Sequence, residues 1–212
     1  MTMMLAFHDA LRRELGHIAR VAAIKTDDPR HVMATAAGSQ MIKAYLQVHH
    51  GCEDDLLRPV MEKALADRAD ALALLAALEA EHAAIAPLLN AVDATLANPA
   101  SGPERLGDLT DAVATTLHAH LRHKEGEGLA LIDATVTDEQ WQEFGREIAK
   151  RIGPEAPRVC PWMLDGLDEA KTVHILTLLP EPVRAAYRNQ WLGAYRQLDR
   201  WGASPGSEER VS

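Results

Sequence analysis

Two distant stretches of the chain share one layout, and together they constrain how it can fold. The first is Val48–Pro59 and the second is His120–Leu129. In each, a histidine is followed four and five positions later by charged residues and then by leucine. Positions four apart on an α-helix lie on one stripe, so His49 and Glu53 project from the same side of a predicted helix. An imidazole and a carboxylate placed in this way can hold one metal ion.

Two further histidines extend this pattern to four helices. His8 lies on the inward stripe of an amphipathic segment before the first stretch, and His82 lies on a leucine-rich segment between the two stretches. A His four residues from a Glu arises often by chance, but here each of four predicted helices carries a histidine. Two helical hairpins that supply histidine and carboxylate to one interior predict a four-helix bundle with a metal site between facing helices.

Apolar periodicity and capping residues place the predicted helices. The apolar share is 47% and aromatic residues make up only 4%, which favours an all-α fold over a sheet. Thr137 and Gln140 have the spacing of a capping box, which begins a fifth helix. The predicted helices cover residues 4–25, 30–65, 67–97, 103–134 and 137–151, with breaks at 27–29 and 98–103.

The residues after the fifth helix have a different composition. Gly153–Pro157 breaks that helix, and we place a domain boundary there, after a bundle of residues 1–152. Residues 153–203 form a predicted helical extension, with helices at 169–179 and 183–201, that contains three of the four tryptophans. It is too apolar for a linker, so we expect it to pack on the bundle or to form a homodimer through its last helix. Residues 204–212 are predicted to be disordered.

Charge and cysteine content exclude several classes of partner. The formal net charge is −9, with no basic run, which argues against binding nucleic acid or an anionic membrane. Cys52 and Cys160 lack a CxxC spacing, and Met1–Phe7 lacks the basic start of a signal peptide, so a cytoplasmic location is predicted. No run of eighteen apolar residues occurs, so no membrane span is predicted.

The order and spacing of these residues resemble the hemerythrin-like family, also called the HHE cation-binding domain. The resemblance spans about residues 4–152 and is carried by His8 within Phe7–Leu15, His49-His50 with Glu53-Asp54 and Pro59, Glu81-His82, and His120–His123 followed by Glu125. It implies an up-down four-helix bundle that holds a pair of iron ions. Carried over residue by residue, the implied iron ligands are His8, His49, Glu53, His82 and His120.

Lys124 departs from the family pattern. Members that resemble this sequence usually carry Glu at this position, and an ammonium group cannot bridge two cations. Three alternatives follow. Glu125 can serve as a ligand if a π-bulge turns it inward, Glu127 can act together with His123, or Lys124 pairs with Glu53 and the site holds one ion or none. We favour Glu125 over Glu127.

His50 and His123 are the remaining histidines of the two stretches. His50 points about 100° away from His49 on a helix, so we expect it to support a ligand or to face solvent. His123 is left open between a metal ligand, a hydrogen-bond partner and a surface residue.

If an iron pair forms, the resemblance implies a non-haem di-iron protein. Such a protein binds or turns over dioxygen, peroxide or nitric oxide, or senses iron or oxygen. Whether it is an enzyme stays open, as does any organic substrate. The competing interpretation is a metal-free or single-metal bundle with Lys124 in the second metal position, acting as a binding module, and iron content distinguishes the two.

Overall fold

The computed structural model describes residues 1–22, 29–98, 103–198 and 200–201. Every regular element in these ranges is helical, so the predicted all-α fold is confirmed. Parts of the predicted breaks, residues 27–28 and 99–102, lie outside the described residues, as does the predicted disordered tail. The α-helices are, in chain order, α1 (Thr2–Ala22), α2 (Pro29–Cys52), α3 (Arg58–Ala64), α4 (Ala69–Leu96), α5 (Pro103–His123), α6 (Leu129–Thr135), α7 (Asp138–Ile152), α8 (Ala156–Leu164), α9 (Glu169–Thr177), α10 (Glu181–Ala186) and α11 (Leu192–Arg196).

Four helical rods form the bundle. Helices α1 and α4 are single rods, while α2 continues into α3, and α5 into α6, through the π-helical turns Glu53–Leu57 and Lys124–Gly128. Helix α1 packs against α2 and α5, and α4 packs against the same two helices. The four rods therefore close a ring around one interior, as the predicted bundle requires.

The bundle interior is apolar at both ends and polar between them. One cluster of buried side chains includes Leu46 and Leu117, and a second cluster includes Met61 and Ile132. Burying a side chain of this kind stabilises a fold by about 2 kcal/mol. The histidines of the two stretches lie between these clusters along the chain, so apolar packing encloses the polar level on both sides.

Helix α7 begins as predicted. The Thr137 hydroxyl accepts from the N–H of Gln140, and the Gln140 side chain accepts from the N–H of Thr137, which confirms the capping box. The helix ends at Ile152 and is capped by Gly153, whose φ of 46° favours glycine. Phe144 of this helix is buried in the second apolar cluster.

Two predictions about the C-terminal extension are wrong. The predicted break at Gly153–Pro157 ends the fifth helix, but α8 begins inside it, at Ala156, and its prolines kept it from being predicted. Pro157 lies in the first helical turn, where a missing N–H is tolerated, and Pro161 removes one backbone hydrogen bond. Burial of the consecutive side chains Val159–Leu164 offsets that loss. The last helix ends at Arg196 and not near residue 201.

The extension packs on α1 and α2. Trp162 of α8 is fully buried, and its ring meets that of Phe7 edge to face at 5.3 Å. A Cβ on Gly38 would lie 2.6 Å from the Arg200 carbonyl oxygen and from the Trp201 ring, so this approach requires glycine. The extension therefore contacts the bundle within one chain, while the domain boundary and the homodimer stay predictions.

Helix α4 is long and apolar enough to cross a membrane, judged by length and composition alone. Core helices of bundles meet the same criterion. Its Glu79, Glu81 and His82 all contact side chains of neighbouring elements of the bundle. The absence of a membrane span therefore stays a prediction.

Candidate metal centre

Four helices each bury one imidazole at the same level of the bundle. His8 of α1, His49 of α2, His82 of α4 and His120 of α5 are 0%, 5%, 9% and 1% exposed. The ring centroids of His8 and His49 lie 5.7 Å apart, and those of His82 and His120 lie 4.6 Å apart. The structure thus brings together the four histidines that the sequence placed inward, and their role as ligands stays a prediction.

Glu53 lies between the two pairs of histidines. Its Oε1 lies 3.2 Å from Nε2 of His49, and its Oε2 lies 3.3 Å from Nε2 of His82. We call the space enclosed by Glu53 and the four buried imidazoles the chamber. A carboxylate that reaches both pairs can bind an ion on either side or bridge two ions.

Lys124 enters the chamber from α5. Its Nζ donates to Oε2 of Glu53 at 2.5 Å, and both residues are 4% exposed. Burial raises the pKa of the Glu53 carboxyl, but the Lys124 ammonium and the His49 ring outweigh it and hold that pKa well below its usual range. This Lys124–Glu53 pair is the contact predicted under the third of the alternatives for Lys124. The ammonium neutralises the carboxylate without a metal ion.

Both stretches contain a π-helical turn. The sequence predicted such a turn only in the second stretch, as one alternative. The N–H of Arg58 donates to the carbonyl oxygen of Glu53, five residues earlier. In the same way, the N–H of Leu129 donates to the carbonyl oxygen of Lys124. The two turns therefore begin at the two residues that form the buried ion pair.

Pro59 follows the first π-helical turn and Gly128 ends the second. Pro59 lacks an N–H, and its ring crowds the carbonyl four residues earlier, which disfavours a regular helix through the first turn. In the second turn, a Cβ on Gly128 would lie 3.0 Å from Leu78 of α4. Glycine there lets the stretch that carries Lys124 approach α4 closely.

The second turn directs Glu125 toward α1. Oε1 of Glu125 lies 2.8 Å from Nδ1 of His8, and Oε2 accepts from Arg12 at 2.6 Å. Burial raises the pKa of Glu125, but these hydrogen bonds outweigh it and lower that pKa. Glu127 is exposed and lies 3.9 Å from Nε2 of His123. The geometry therefore favours Glu125 over Glu127 as the acidic residue that serves the chamber.

Glu81 holds two histidines of α5. Its Oε2 lies 3.0 Å from Nδ1 of His120, and its Oε1 lies 2.8 Å from Nδ1 of His123. A carboxylate on Nδ1 fixes the ring and leaves Nε2 free to face a metal ion. No role was predicted for Glu81. Its position next to His82, about 100° around α4, is the signal that could have placed it toward a neighbouring helix. His123 is thus a hydrogen-bond partner of Glu81.

His50 completes a group of three imidazoles. Its ring stacks on that of His82 with centroids 3.8 Å apart, and its centroid lies 5.7 Å from that of His120. One ligand nitrogen from each ring lies within 4.8 Å of the others. A tetrahedral ion with bonds of about 2.1 Å would hold such nitrogens roughly 3.4 Å apart. Small movements of the three rings would therefore bring their nitrogens to the spacing of a metal site.

His8, His50, His82 and His120 are neutral at neutral pH. Burial lowers the pKa of His8 to about 4 and that of His82 to about 3. Burial also lowers the pKa values of His50 and His120. Neutral imidazole is the form that binds metal ions, so these rings are ready as ligands.

Several chamber atoms are buried without a well-aligned hydrogen bond. Among the described residues, Nε2 of His8, both nitrogens of His82 and Oε1 of Glu53 have no partner in hydrogen-bond geometry, although Nε2 of His49 lies 3.2 Å from Oε1 of Glu53. Leaving a buried polar atom unsatisfied costs about 1–3 kcal/mol. A cation would satisfy imidazole and carboxylate lone pairs together, so the donor set fits a metal ion.

A cavity of about 320 Å³ between α2 and α4 reaches two of these imidazoles. Its walls include His50, His82, Gly51, Ala83 and Ala86. Ala86 lies one helical turn after His82, and its small side chain leaves room in the cavity. Small molecules can therefore reach the imidazole cluster from this groove.

The first part of the chain matches a known family. The family model of the hemerythrin HHE cation-binding domain matches residues 1–132. That segment contains every ligand that the sequence analysis predicted. Comparison with curated proteins found no match, and comparison with solved structures also found none. Because the match covers more than half of the chain, the protein belongs to the hemerythrin HHE cation-binding family, and its bundle is a metal-binding helical domain.

Proposed function

We propose that this chain is a non-haem iron protein that binds iron in the chamber and uses it to bind or turn over dioxygen, peroxide or nitric oxide, or to sense iron or oxygen. The observation that carries the proposal is the cluster of His50, His82 and His120, with ligand nitrogens within 4.8 Å of one another. Imidazole suits iron, zinc, copper and nickel, and membership of this family favours iron.

The chamber offers two half-sites. The first contains His8, His49 and Oε1 of Glu53, and the second contains His50, His82 and His120. Behind each half-site lies a carboxylate on an imidazole Nδ1. Glu125 holds His8 and Glu81 holds His120 in this way. Such outer carboxylates fix the ring orientation and raise the basicity of the ligand nitrogen.

The two half-sites differ in what they need from Glu53. The Lys124 ammonium holds Oε2 of Glu53, so two metal ions bridged by this carboxylate would first have to displace that ammonium. The three imidazoles of the second half-site do not depend on Glu53. We therefore expect one iron in the second half-site, and weaker or no binding in the first.

Bound iron would supply a redox couple and an open coordination position for a small ligand. The protein's own residues exclude water and hold a proton. Leu46, Ile85 and Leu89 form apolar walls of the cavity beside the imidazoles. The Lys124 ammonium and Nε2 of His82 both lie against Oε2 of Glu53, so Nζ could donate a hydrogen bond to an anionic ligand bound beside His82 once iron is present.

A second function is favoured by the buried Lys124–Glu53 pair itself. This pair gives the chamber a charge balance that needs no metal ion. Under this alternative, the bundle binds no iron and acts as a binding module. A Lys124→Glu variant should then acquire iron that the wild-type protein lacks.

Iron content tests the proposal. Protein expressed with added iron and examined by elemental analysis should hold about one iron per chain, as a three-imidazole site requires. His82→Ala and His120→Ala should lose this iron, whereas the exposed His174→Ala should keep it. Wild-type protein without iron, together with a Lys124→Glu variant that binds it, would replace the proposal with the metal-free alternative.

The oxygen chemistry needs its own measurement. Anaerobic Fe²⁺-loaded protein should change its visible absorption when dioxygen, hydrogen peroxide or nitric oxide is added, and the reactive ligand identifies the substrate. The His174→Ala control should respond as the wild-type protein does. No spectral change with any of the three would reject this part of the proposal while leaving iron binding intact.

A further inference from the structure

Two carboxylates and one nitrogen of the chamber meet where the groove opens to solvent. Asp54, Glu79 and His82 each offer one ligand atom, and these atoms lie within 4.8 Å of one another. Oδ1 of Asp54 lies 3.6 Å from Nδ1 of His82. Asp54 and Glu79 are half-buried and contact each other through a hydrogen bond. Neither carboxylate belongs to the half-sites described above.

His82 supplies an independent indication of a ligand at this place. The residue is 9% exposed, and its Nδ1 is buried without a hydrogen-bond partner among the described residues. Its other nitrogen, Nε2, lies 3.3 Å from Glu53 inside the chamber. One ring therefore presents a nitrogen to the chamber and a nitrogen to the outer carboxylates.

The positions of these residues form a short path along two helices. Asp54 follows His50 by four residues, and Glu79 precedes His82 by three, so each carboxylate lies one turn from a chamber imidazole. The 320 Å³ cavity is lined by all four of these residues. An ion held by the carboxylates therefore has open space between it and the imidazoles.

Arg58 also lies at this place. Nη1 of Arg58 lies 3.0 Å from Oε1 of Glu79, while the buried Nε of Arg58 has no hydrogen-bond partner in the described part of the chain. The guanidinium is about one-third exposed, so it can move toward solvent. A divalent cation would compete with Arg58 for Glu79.

We propose that Asp54, Glu79 and Nδ1 of His82 form a loading site that takes a divalent cation from solvent and passes it to His50, His82 and His120. This inference rests on the proposed function, because it presumes that metal binds in the chamber. Carboxylate oxygens accept a hydrated divalent cation with little dehydration, and imidazoles then replace the remaining waters. His82 is the residue that the two sites share, and the ion moves through the open space of the cavity from the carboxylates to the imidazoles.

Rates of metal uptake test the loading site. Metal-free protein is mixed anaerobically with Fe²⁺, and with Co²⁺ as a spectroscopic probe, and uptake is followed by stopped-flow absorbance. Asp54→Asn combined with Glu79→Gln should slow uptake about 10-fold or more, since the acidic groups that attract the cation are removed, while the final metal content stays that of the wild-type protein. Asp138→Asn combined with Glu139→Gln, two exposed acidic residues of α7, should leave the rate unchanged.

A second variant should change the rate in the opposite direction. Arg58→Gln removes the cation that competes for Glu79, so uptake should become several-fold faster. Uptake at the wild-type rate in the Asp54→Asn, Glu79→Gln protein, or slower uptake in Arg58→Gln, would overturn the loading site. So would a loss of one whole ion from the final content of the double variant, because the carboxylates would then be permanent ligands. If the wild-type protein itself binds no metal, the proposed function fails instead.

Discussion

Two buried carboxylates of this protein, Glu14 and Glu53, differ in how their oxygens are satisfied. Oε1 of Glu14 accepts hydrogen bonds from Arg13 and Arg200, and its Oε2 accepts from Nε1 of Trp201 at 2.7 Å. Oε2 of Glu53 accepts from Lys124, but its Oε1 has only Nε2 of His49 at 3.2 Å and no well-aligned hydrogen bond to any residue that the structure describes.

The difference separates a structural contact from a functional one. Glu14 has donors on both oxygens, and these donors join α1 to the last described residues of the extension, so its arrangement is complete without a ligand. The oxygen of Glu53 and the nitrogens of His8 and His82 are buried and unsatisfied. Proteins retain such costly arrangements mainly at functional sites.

Replacing Glu14 gives the largest expected effect on stability. Glu14→Ala leaves the Trp201 N–H without its acceptor and removes one of the acceptors of Arg13 and of Arg200, so the free energy of unfolding should fall by about 3–5 kcal/mol. Urea unfolding measures the loss. Iron per folded chain should not change, because Glu14 takes no part in the chamber. A loss of less than about 1 kcal/mol would show that Glu14 does not hold the extension.

Acid should weaken the chamber by protonating its histidines. The pKa values of His8 and His82 fall from 6.5 in the unfolded chain to about 4 and about 3 in the folded protein. Stability from these neutral rings is complete above pH 6.5 and is lost as the pH falls toward the folded values. When the pH falls from 7.5 to 5, the unfolded chain binds a proton at each of these rings and the folded protein does not. Each ring should therefore lower the free energy of unfolding of metal-free protein by roughly 2 kcal/mol.

Urea unfolding of metal-free protein at the two pH values measures this dependence. A His82→Phe variant should lose its share of the effect, since it has no ring to protonate. Glu14→Gln is the matched change in the other region, and it should leave the pH dependence as it is in the wild-type protein. Equal pH dependence in the wild-type and His82→Phe proteins would contradict the account.

A smaller effect is expected at Gly38, beneath the end of the extension. Gly38→Ala places a Cβ 2.6 Å from Arg200 and Trp201, so the extension must shift, at a cost of about 1–3 kcal/mol. Tryptophan fluorescence and limited proteolysis report the displacement. Gly145→Ala is the control, because in the described part of the chain nothing beyond its own helix backbone and chain neighbours lies within 4 Å of the added Cβ, and it should stabilise α7 by about 0.5–1 kcal/mol. Unchanged fluorescence and stability in Gly38→Ala would rule out close packing at this position.

Much of the bundle could be predicted because its helices are long and strongly periodic. The capping box at Thr137 and the inward positions of His8, His49, His82 and His120 follow from spacing along single helices. Helix α8 could not be predicted in this way. Its prolines disfavour a helix locally, and only tertiary burial around Trp162 outweighs them.

The candidate site was predictable where one helix determines the geometry and not where two helices meet. A five-residue offset indicated that Glu125 needs a π-bulge, and the structure has a π-helical turn there. The contacts of Glu81 with His120 and of His50 with His82 depend on how neighbouring helices are rotated against each other. No pattern within a single helix specifies that rotation.

Anomalous X-ray diffraction at the iron edge, from crystals loaded with Fe²⁺ without oxygen, tests the central claim most directly. The account predicts a peak about 2.1 Å from imidazole nitrogens of His82 and His120, on the side of His50. Crystals of Glu14→Gln protein should show the same peak. Loaded crystals without an iron peak in the chamber, and with Lys124 still paired to Glu53, would contradict it.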